Sequence, residues 1–157
     1  MLLNLKGQLL DLSIPKVMGI LNLTPDSFYD GGQYLGDEQF LFKTEKMLQE
    51  GAMFIDVGAF SSRPNGEWIT EEEEWQRLEQ PLQALLQRFP EAMVSIDTFR
   101  SGVAARALDI GVAMVNDISA GYLDTNMMPL IAQRQVPYIM MHMRGTPQTM
   151  SQLTQYQ

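Results

Sequence analysis

The chain is predicted to fold as a parallel α/β domain, and three observations carry that prediction. Short apolar segments of strand length recur along the chain with helical patterns between them, as crossovers between parallel strands require. The strand segments are continuously apolar rather than alternating, as expected where both faces of a sheet are covered. Asn22, Asp56, Asp97 and Asn116 each stand at the C-terminal end of a different strand. In parallel α/β folds those ends converge on one face, where the sites are built.

Residues 17–21 read as the first strand, which breaks at Asn22 into a polar loop carrying Thr24, Pro25, Phe28, Asp30 and a double glycine. A helix is predicted over 36–50, with Phe40, Met47 and Leu48 on one face and Gly51 as its terminating residue. The second strand, 53–57, opens into a loop containing Ser61, Ser62, Arg63 and Pro64. Thr70 and Glu73 then form a capping box, and the glutamates at 71–74 occupy a first turn whose dipole favours negative charge. Trp75, Leu78, Leu82, Leu85, Leu86 and Phe89 continue that helix on one face, with a kink expected at Pro81.

The third strand, 93–96, ends at Asp97, and Ser101 is expected to cap the helix carrying Val103, Ala104, Ala107 and Leu108. Gly111 stops it before a fourth strand at 112–115, which ends at Asn116 and Asp117. A short helix at 127–134 leads to a fifth strand at 137–141, followed by His142. The twelve methionines fall mostly in these apolar positions, so they are read as core filling. No Gly-x-Gly-x-x-Gly follows the first strand, which weakens a dinucleotide-binding open sheet. An eight-stranded barrel and an open doubly wound sheet both satisfy the pattern.

The 157 residues are read as a single domain, 1–157, long enough to bury about 68–70% of the unfolded surface. Apolar residues make up 45% and charged residues 19%, the balance of a globular chain. No apolar run approaches the roughly 20 residues that span a bilayer, so no membrane partner is expected. The first residues lack the pattern of an export signal, and the chain has no cysteine; a cytoplasmic location is expected. One histidine excludes a multi-histidine metal site, and a net charge of −8 argues against nucleic acid as a partner. The acids concentrate at 71–74, so an anionic substrate stays open.

Each strand-end residue suggests a task. Asp97 can accept two hydrogen bonds from adjacent N–H groups, and Asn116 offers a donor and an acceptor, so together they suit the edge of a flat, nitrogen-rich ring. Asn22 presents a hard carbonyl oxygen acceptable to Mg²⁺ in a site completed by phosphate and water. Ser61, Ser62 and Arg63 supply hydroxyls and a cation suited to a diphosphate. Asp56 is expected to serve structure by pinning neighbouring loop N–H groups. His142, with no carboxylate or metal motif beside it in sequence, is read as a core or strand-end histidine rather than a base.

The segments "GILNLTPDSFYDGG", "DVGAFSSRP", "VSIDTFRSGVAARALDIGVAMVNDISAG" and "MMHMRGTPQTM", in this order and spacing, closely resemble the dihydropteroate synthase family. The resemblance spans the chain from Val17 onward. It implies a (β/α)₈ TIM barrel of the pterin-binding type, of which about five strands and four helices are present here. The implied reaction joins 6-hydroxymethyl-7,8-dihydropterin diphosphate to p-aminobenzoate, giving 7,8-dihydropteroate and diphosphate. By motif, Asn22 would be the Mg²⁺ ligand; Ser62, Asp97 and Asn116 would bind the pterin substrate, with Met141 against its ring. Asp30 and Arg63 would act catalytically from the two loops, and Phe28 and Pro64 would wall the pocket for p-aminobenzoate and for the sulfonamides that imitate it.

The second loop departs from the family pattern, having Ser62 where many relatives have a threonine and lacking a glutamate. The family also continues for roughly another hundred residues, in keeping with barrels of about 250. Those residues carry a further pterin-binding aspartate, a lysine and an Arg-x-His anion motif, and homodimers are the family habit. The present stretch is therefore expected to be part of a longer protein, with open sheet edges, and poorly soluble and inactive alone. Two alternatives share the architecture: the pterin-binding domain of a methyltetrahydrofolate methyltransferase, and a non-catalytic pterin-binding module. The Thr24–Phe28 loop and the Met141–Met143 segment favour the synthase.

Overall fold

Lys6 and Gly7 take positive φ values of 49° and 81°, the backbone of a two-residue turn whose twist suits a hairpin. In the computed structural model, which describes residues 2–23, 33–60 and 68–155, this turn joins strands β1 (Leu2–Leu5) and β2 (Gln8–Asp11) in an antiparallel pair. The sequence reading did not include this hairpin. Lys-Gly is a weaker turn signal than Asn-Gly or Asp-Gly, and residues 2–11 lack clean alternation.

The main sheet comprises β3 (Val17–Asn22), β4 (Ala52–Gly58), β5 (Met93–Asp97), β6 (Met114–Asp117) and β7 (Tyr138–Met140). Between them run α1 (Gln33–Gln49), α2 (Glu71–Arg88), α3 (Ser101–Asp109) and α4 (Met127–Arg134). Spatial order follows chain order from β3 to β7, and every neighbouring pair is parallel. A doubly wound sheet reverses its winding at a switch point, whereas a barrel adds each strand beside the last. The unreversed order therefore assigns these five strands and four helices to the barrel architecture.

Two apolar clusters hold the unit together. On the helix side, Leu21, Ile55, Val57, Val94, Ile96 and Val115 pack with Phe40, Leu78, Leu82, Leu85, Val103 and Ala107. On the other, Leu5 of the hairpin is buried with Phe54, Ala113 and Met114, with Leu3, Leu10, Met18, Met53 and Met93 around them. The hairpin thus covers the end of the sheet from which the strands start and leaves the opposite end to the loops. Burying Leu5, 1% exposed, contributes about 1.5–3 kcal/mol. Met18, Met53, Met93 and Met114 fill this layer, as unbranched side chains can where a hairpin meets irregular strand starts. The edge strands β3 and β7, with one neighbour each, stay largely uncovered; Val17 is 64%, Ile20 60% and Met140 57% exposed.

Several local expectations change. Helix α1 begins at Gln33, three residues earlier than residue 36. The fourth strand begins at Met114, because the Val112 N–H bonds the Ala107 carbonyl (3.1 Å) and so still belongs to the helix ending. The Thr70 capping box is present in both directions: Glu73 N–H donates to Thr70 Oγ1 (3.2 Å), and Thr70 N–H donates to Glu73 Oε2 (2.7 Å). Ser101 is not a cap. It is the first residue of α3, and its N–H donates to Asp124 Oδ2 (2.7 Å), a partner 23 positions on that no local signal could reveal. Pro81 lies inside α2, and the helix continues through it to Arg88.

Candidate active site

Alternation along parallel strands decides which residues share a face, and register decides which stand side by side. Asn22 of β3 lies opposite Gly58 of β4, Gly58 opposite Asp97 of β5, and Asp97 opposite Asn116 of β6. The four strand ends therefore form one row. Two residues earlier on the same face, Asp56 lies opposite Ser95. Gly58 keeps the row open, since a Cβ there would stand 3.2 Å from both Cβ and Oδ2 of Asp97.

Among the described residues Asp56 pins no loop N–H group. Its Oδ2 accepts from Asn116 Nδ2 (2.9 Å), so the carboxylate orients the amide and leaves the Asn116 carbonyl oxygen for another donor. Asp56 Oδ1 and Ser95 Oγ are buried without a hydrogen-bond partner. The Ser95 hydroxyl nearby favours the charged form of Asp56, although the two are not hydrogen-bonded. Buried polar atoms left unmatched at the base of a polar row suit a ligand or water that would satisfy them. Ser95 was missed in the sequence reading. Its signal was its position two residues before Asp97, on the same strand face.

Charge in this row is expensive. Burial pushes the Asp97 carboxyl up to about 7, with the nearby charges of Asp56, Glu74 and Asp117 adding to the effect. Burial also raises Asp56, opposed by Ser95 and Asn116. A ring presenting two N–H donors to Asp97 would favour its carboxylate form and relieve that cost.

Asp117, next to Asn116 in sequence, points to the opposite face and has a different task. Its Oδ1 accepts from the N–H and Oγ of Ser119 (2.7 and 2.8 Å), and its Oδ2 from Gly121 N–H (2.8 Å) and the Tyr138 hydroxyl (2.6 Å). It fixes the loop after β6, where Ala120 and Gly121 take φ values of 51° and 82°. Asp124 then ties that loop to the start of α3.

Asn22 is exposed at the end of β3, where the Leu23 N–H prolongs the pairing to the Gly58 carbonyl (2.7 Å). Opposite it stands a residue with no side chain. Among the described residues no group of three histidine, aspartate or glutamate side chains could hold a metal. One amide oxygen at an open strand end fits Mg²⁺ only where phosphate and water supply most of the coordination. Met141 follows β7 two positions after Ile139, the row neighbour of Asn116, and its N–H donates to the Asp117 carbonyl (3.1 Å). His142 is exposed just beyond, at the strand end rather than in a core. Phe28, Asp30, Ser62, Arg63 and Pro64 lie outside the described residues. No helix among the described residues is long and apolar enough to cross a membrane.

Comparison with known proteins places this geometry. A family model described as pterin binding enzyme matches residues 18–157. The dihydropteroate synthase of Haemophilus influenzae is 42% identical over 141 residues, covering 90% of this chain and 50% of that protein. A structure of the Yersinia pestis dihydropteroate synthase with a sulfonamide drug superposes with a TM-score of 0.85 at 38% identity, covering 99% of this chain and 56% of that one. The Xanthomonas albilineans dihydropteroate synthase with 4-aminobenzoic acid gives 0.83 at 35% identity, covering 92% and 52%. The chain spans about half the length of these three relatives.

Proposed function

The chain belongs to the pterin-binding enzyme family, and from that premise we propose that it is the pterin-binding portion of a dihydropteroate synthase. The reaction would condense 6-hydroxymethyl-7,8-dihydropterin diphosphate with p-aminobenzoate in folate biosynthesis. The observation that carries the reading is the row Asn22, Gly58, Asp97, Asn116 with Asp56 and Ser95 beneath it. It offers one carboxylate, one oriented amide and two unmatched buried oxygens to a flat heterocycle.

In this reading Asp97 accepts N–H groups of the pterin while Asn116, held by Asp56, reads the adjacent edge. Met141 lies against the ring. The bond between the pterin methylene carbon and the diphosphate oxygen breaks, the p-aminobenzoate nitrogen attacks that carbon, and the amine loses a proton. Buried acidic groups beneath the ring favour the positive charge that develops on it. Asn22 would hold Mg²⁺ together with diphosphate oxygens, and the ion when bound neutralises the leaving group. Ser62 and Arg63 are assigned to the diphosphate, Asp30 to the first loop's contact with substrate, and Phe28 and Pro64 to the p-aminobenzoate pocket that sulfonamides would share. The Xanthomonas and Yersinia relatives, with their bound 4-aminobenzoic acid and sulfonamide, support a pocket that both kinds of ligand would share.

Calorimetry and a product assay, with pterin diphosphate, Mg²⁺ and p-aminobenzoate supplied separately and together, test the reading. Pterin diphosphate binding with release of diphosphate on adding p-aminobenzoate is expected of the synthase. Pterin affinity without turnover would identify a binding module, and no pterin affinity would refute the assignment.

A further inference from the structure

Asp56 and Asn116 stand on β4 and β6, with β5 between them, yet their side chains share a hydrogen bond of 2.9 Å. Alternate strands of a sheet lie roughly 9–10 Å apart, so a bond that skips a strand needs a gap among the side chains of the middle one. Ser95, the β5 partner of Asp56, is small and supplies that gap. Asp56 is 2% exposed and Ser95 is fully buried, so water is largely kept from the contact. A bond across 60 positions of chain, set by three strands in register, is fixed by the sheet and not by any neighbour in sequence.

The polarity of this bond follows from its chemistry. A carboxylate only accepts, so the Nδ2 end of Asn116 faces Asp56, and an amide that could otherwise turn end for end has one orientation. One Nδ2 hydrogen is committed to Asp56; the carbonyl oxygen and the second Nδ2 hydrogen remain, an acceptor and a donor side by side. A pterin carries the matching pair on one edge, an amino hydrogen at ring position 2 and the lone pair of the ring nitrogen next to it. A 2-oxo ring, a lumazine, has that edge inverted: an oxygen replaces the amino group, and the neighbouring nitrogen carries the hydrogen. A free asparagine would serve either ring by turning over. Turning over here would set the Asn116 carbonyl oxygen against a buried carboxylate and leave both without a donor.

We propose that Asp56 is a positioning residue that sets ring specificity: by fixing the amide of Asn116 it makes the site select 2-amino over 2-oxo pteridines. The proposal rests on the pterin reading of the site for its ligand, whereas the fixed amide is a property of the chain alone. Its consequence is a ratio of affinities, which a merely structural role for Asp56 would not move.

Calorimetry with 6-hydroxymethylpterin and 6-hydroxymethyllumazine, on the native chain and on Asp56→Asn, tests it. The substitution keeps the side-chain shape, removes the buried charge and can pair with either end of Asn116. The native chain should prefer the pterin, and Asp56→Asn should narrow that preference about tenfold, the size of one relieved hydrogen-bond mismatch. Loss of the Asp56 charge also eases ionisation of Asp97, which favours a ring with more N–H donors; that effect widens the preference, so it cannot produce the narrowing. A native chain with no preference, or a preference unchanged or widened in the variant, would overturn the proposal. If the variant does not fold, NMR of the Asn116 side-chain amide in the native chain decides. One Nδ2 hydrogen displaced downfield and slow to exchange supports the fixed amide, and two ordinary, fast-exchanging hydrogens refute it. If the native chain binds neither ring, the pterin reading fails, and the same spectrum judges the amide by itself.

Discussion

Replacing Asp97 with asparagine should flatten the pH dependence of folding stability. Asp97 has its carboxyl raised from 3.8 to about 7 in the folded chain, chiefly by burial and further by Asp56, Glu74 and Asp117. Below about pH 4 both folded and unfolded chains carry the proton, so the group imposes no cost. As pH rises, the unfolded chain releases its proton first, so stability falls until the folded carboxyl ionises near 7 and is constant above that. A shift of about three pKa units corresponds to at most about 4 kcal/mol at 1.36 kcal/mol per unit. Between about pH 5 and pH 8 roughly 2–3 kcal/mol of that remains to be lost. Urea unfolding of both chains at those two pH values measures it. Asp97→Asn should gain on the native chain by up to that amount at the higher pH, while pterin affinity falls about tenfold or more through loss of a charge-assisted pair. An Asp97→Asn stability difference that is the same at both pH values would refute the buried-carboxylate account.

Three further outcomes follow from the geometry. Gly58→Ala should crowd Asp97 through the 3.2 Å approach of its Cβ, costing about 1–3 kcal/mol on denaturant unfolding and lowering pterin affinity; an unchanged midpoint and affinity would show that the row has room. Asn22→Ala should weaken pterin diphosphate only when Mg²⁺ is present, leaving 6-hydroxymethylpterin untouched in calorimetry, and an equal effect without Mg²⁺ would remove the metal assignment. Asp124→Ala should lose the long-range cap on Ser101 and cost about 1 kcal/mol, seen as a lowered thermal midpoint; no shift would mean that water replaces the carboxylate.

Much of the architecture was legible because it is written in short-range signals. The capping box of Thr70, the buried runs of β4 and β5, and the helical face from Trp75 to Leu85 need only periodicity and neighbours three or four positions away. The errors have the opposite character. Ser101 looked like a cap, but its helix is capped by Asp124, and Asp56 looked like a loop anchor but meets an amide 60 positions on. The β1–β2 hairpin is not legible in the sequence, because its apolar residues gain their meaning only against strand starts distant in sequence.

By itself the sequence determined the alternation of strand and helix, the polar strand ends and the motifs that carry the family resemblance, since all of these reside in residue type and spacing. Tertiary structure decided the rest. Only the parallel register brings Asn22, Gly58, Asp97 and Asn116 into one row and places Asp117 on the other face. Burial, a property of the whole packing, turns Asp97 into a group poised near neutrality. Arg100 reads in sequence as an ordinary cation beside a helix start; the fold surrounds it with three rings and a buried carboxylate, because the loops that supply them meet only when the strands stand side by side.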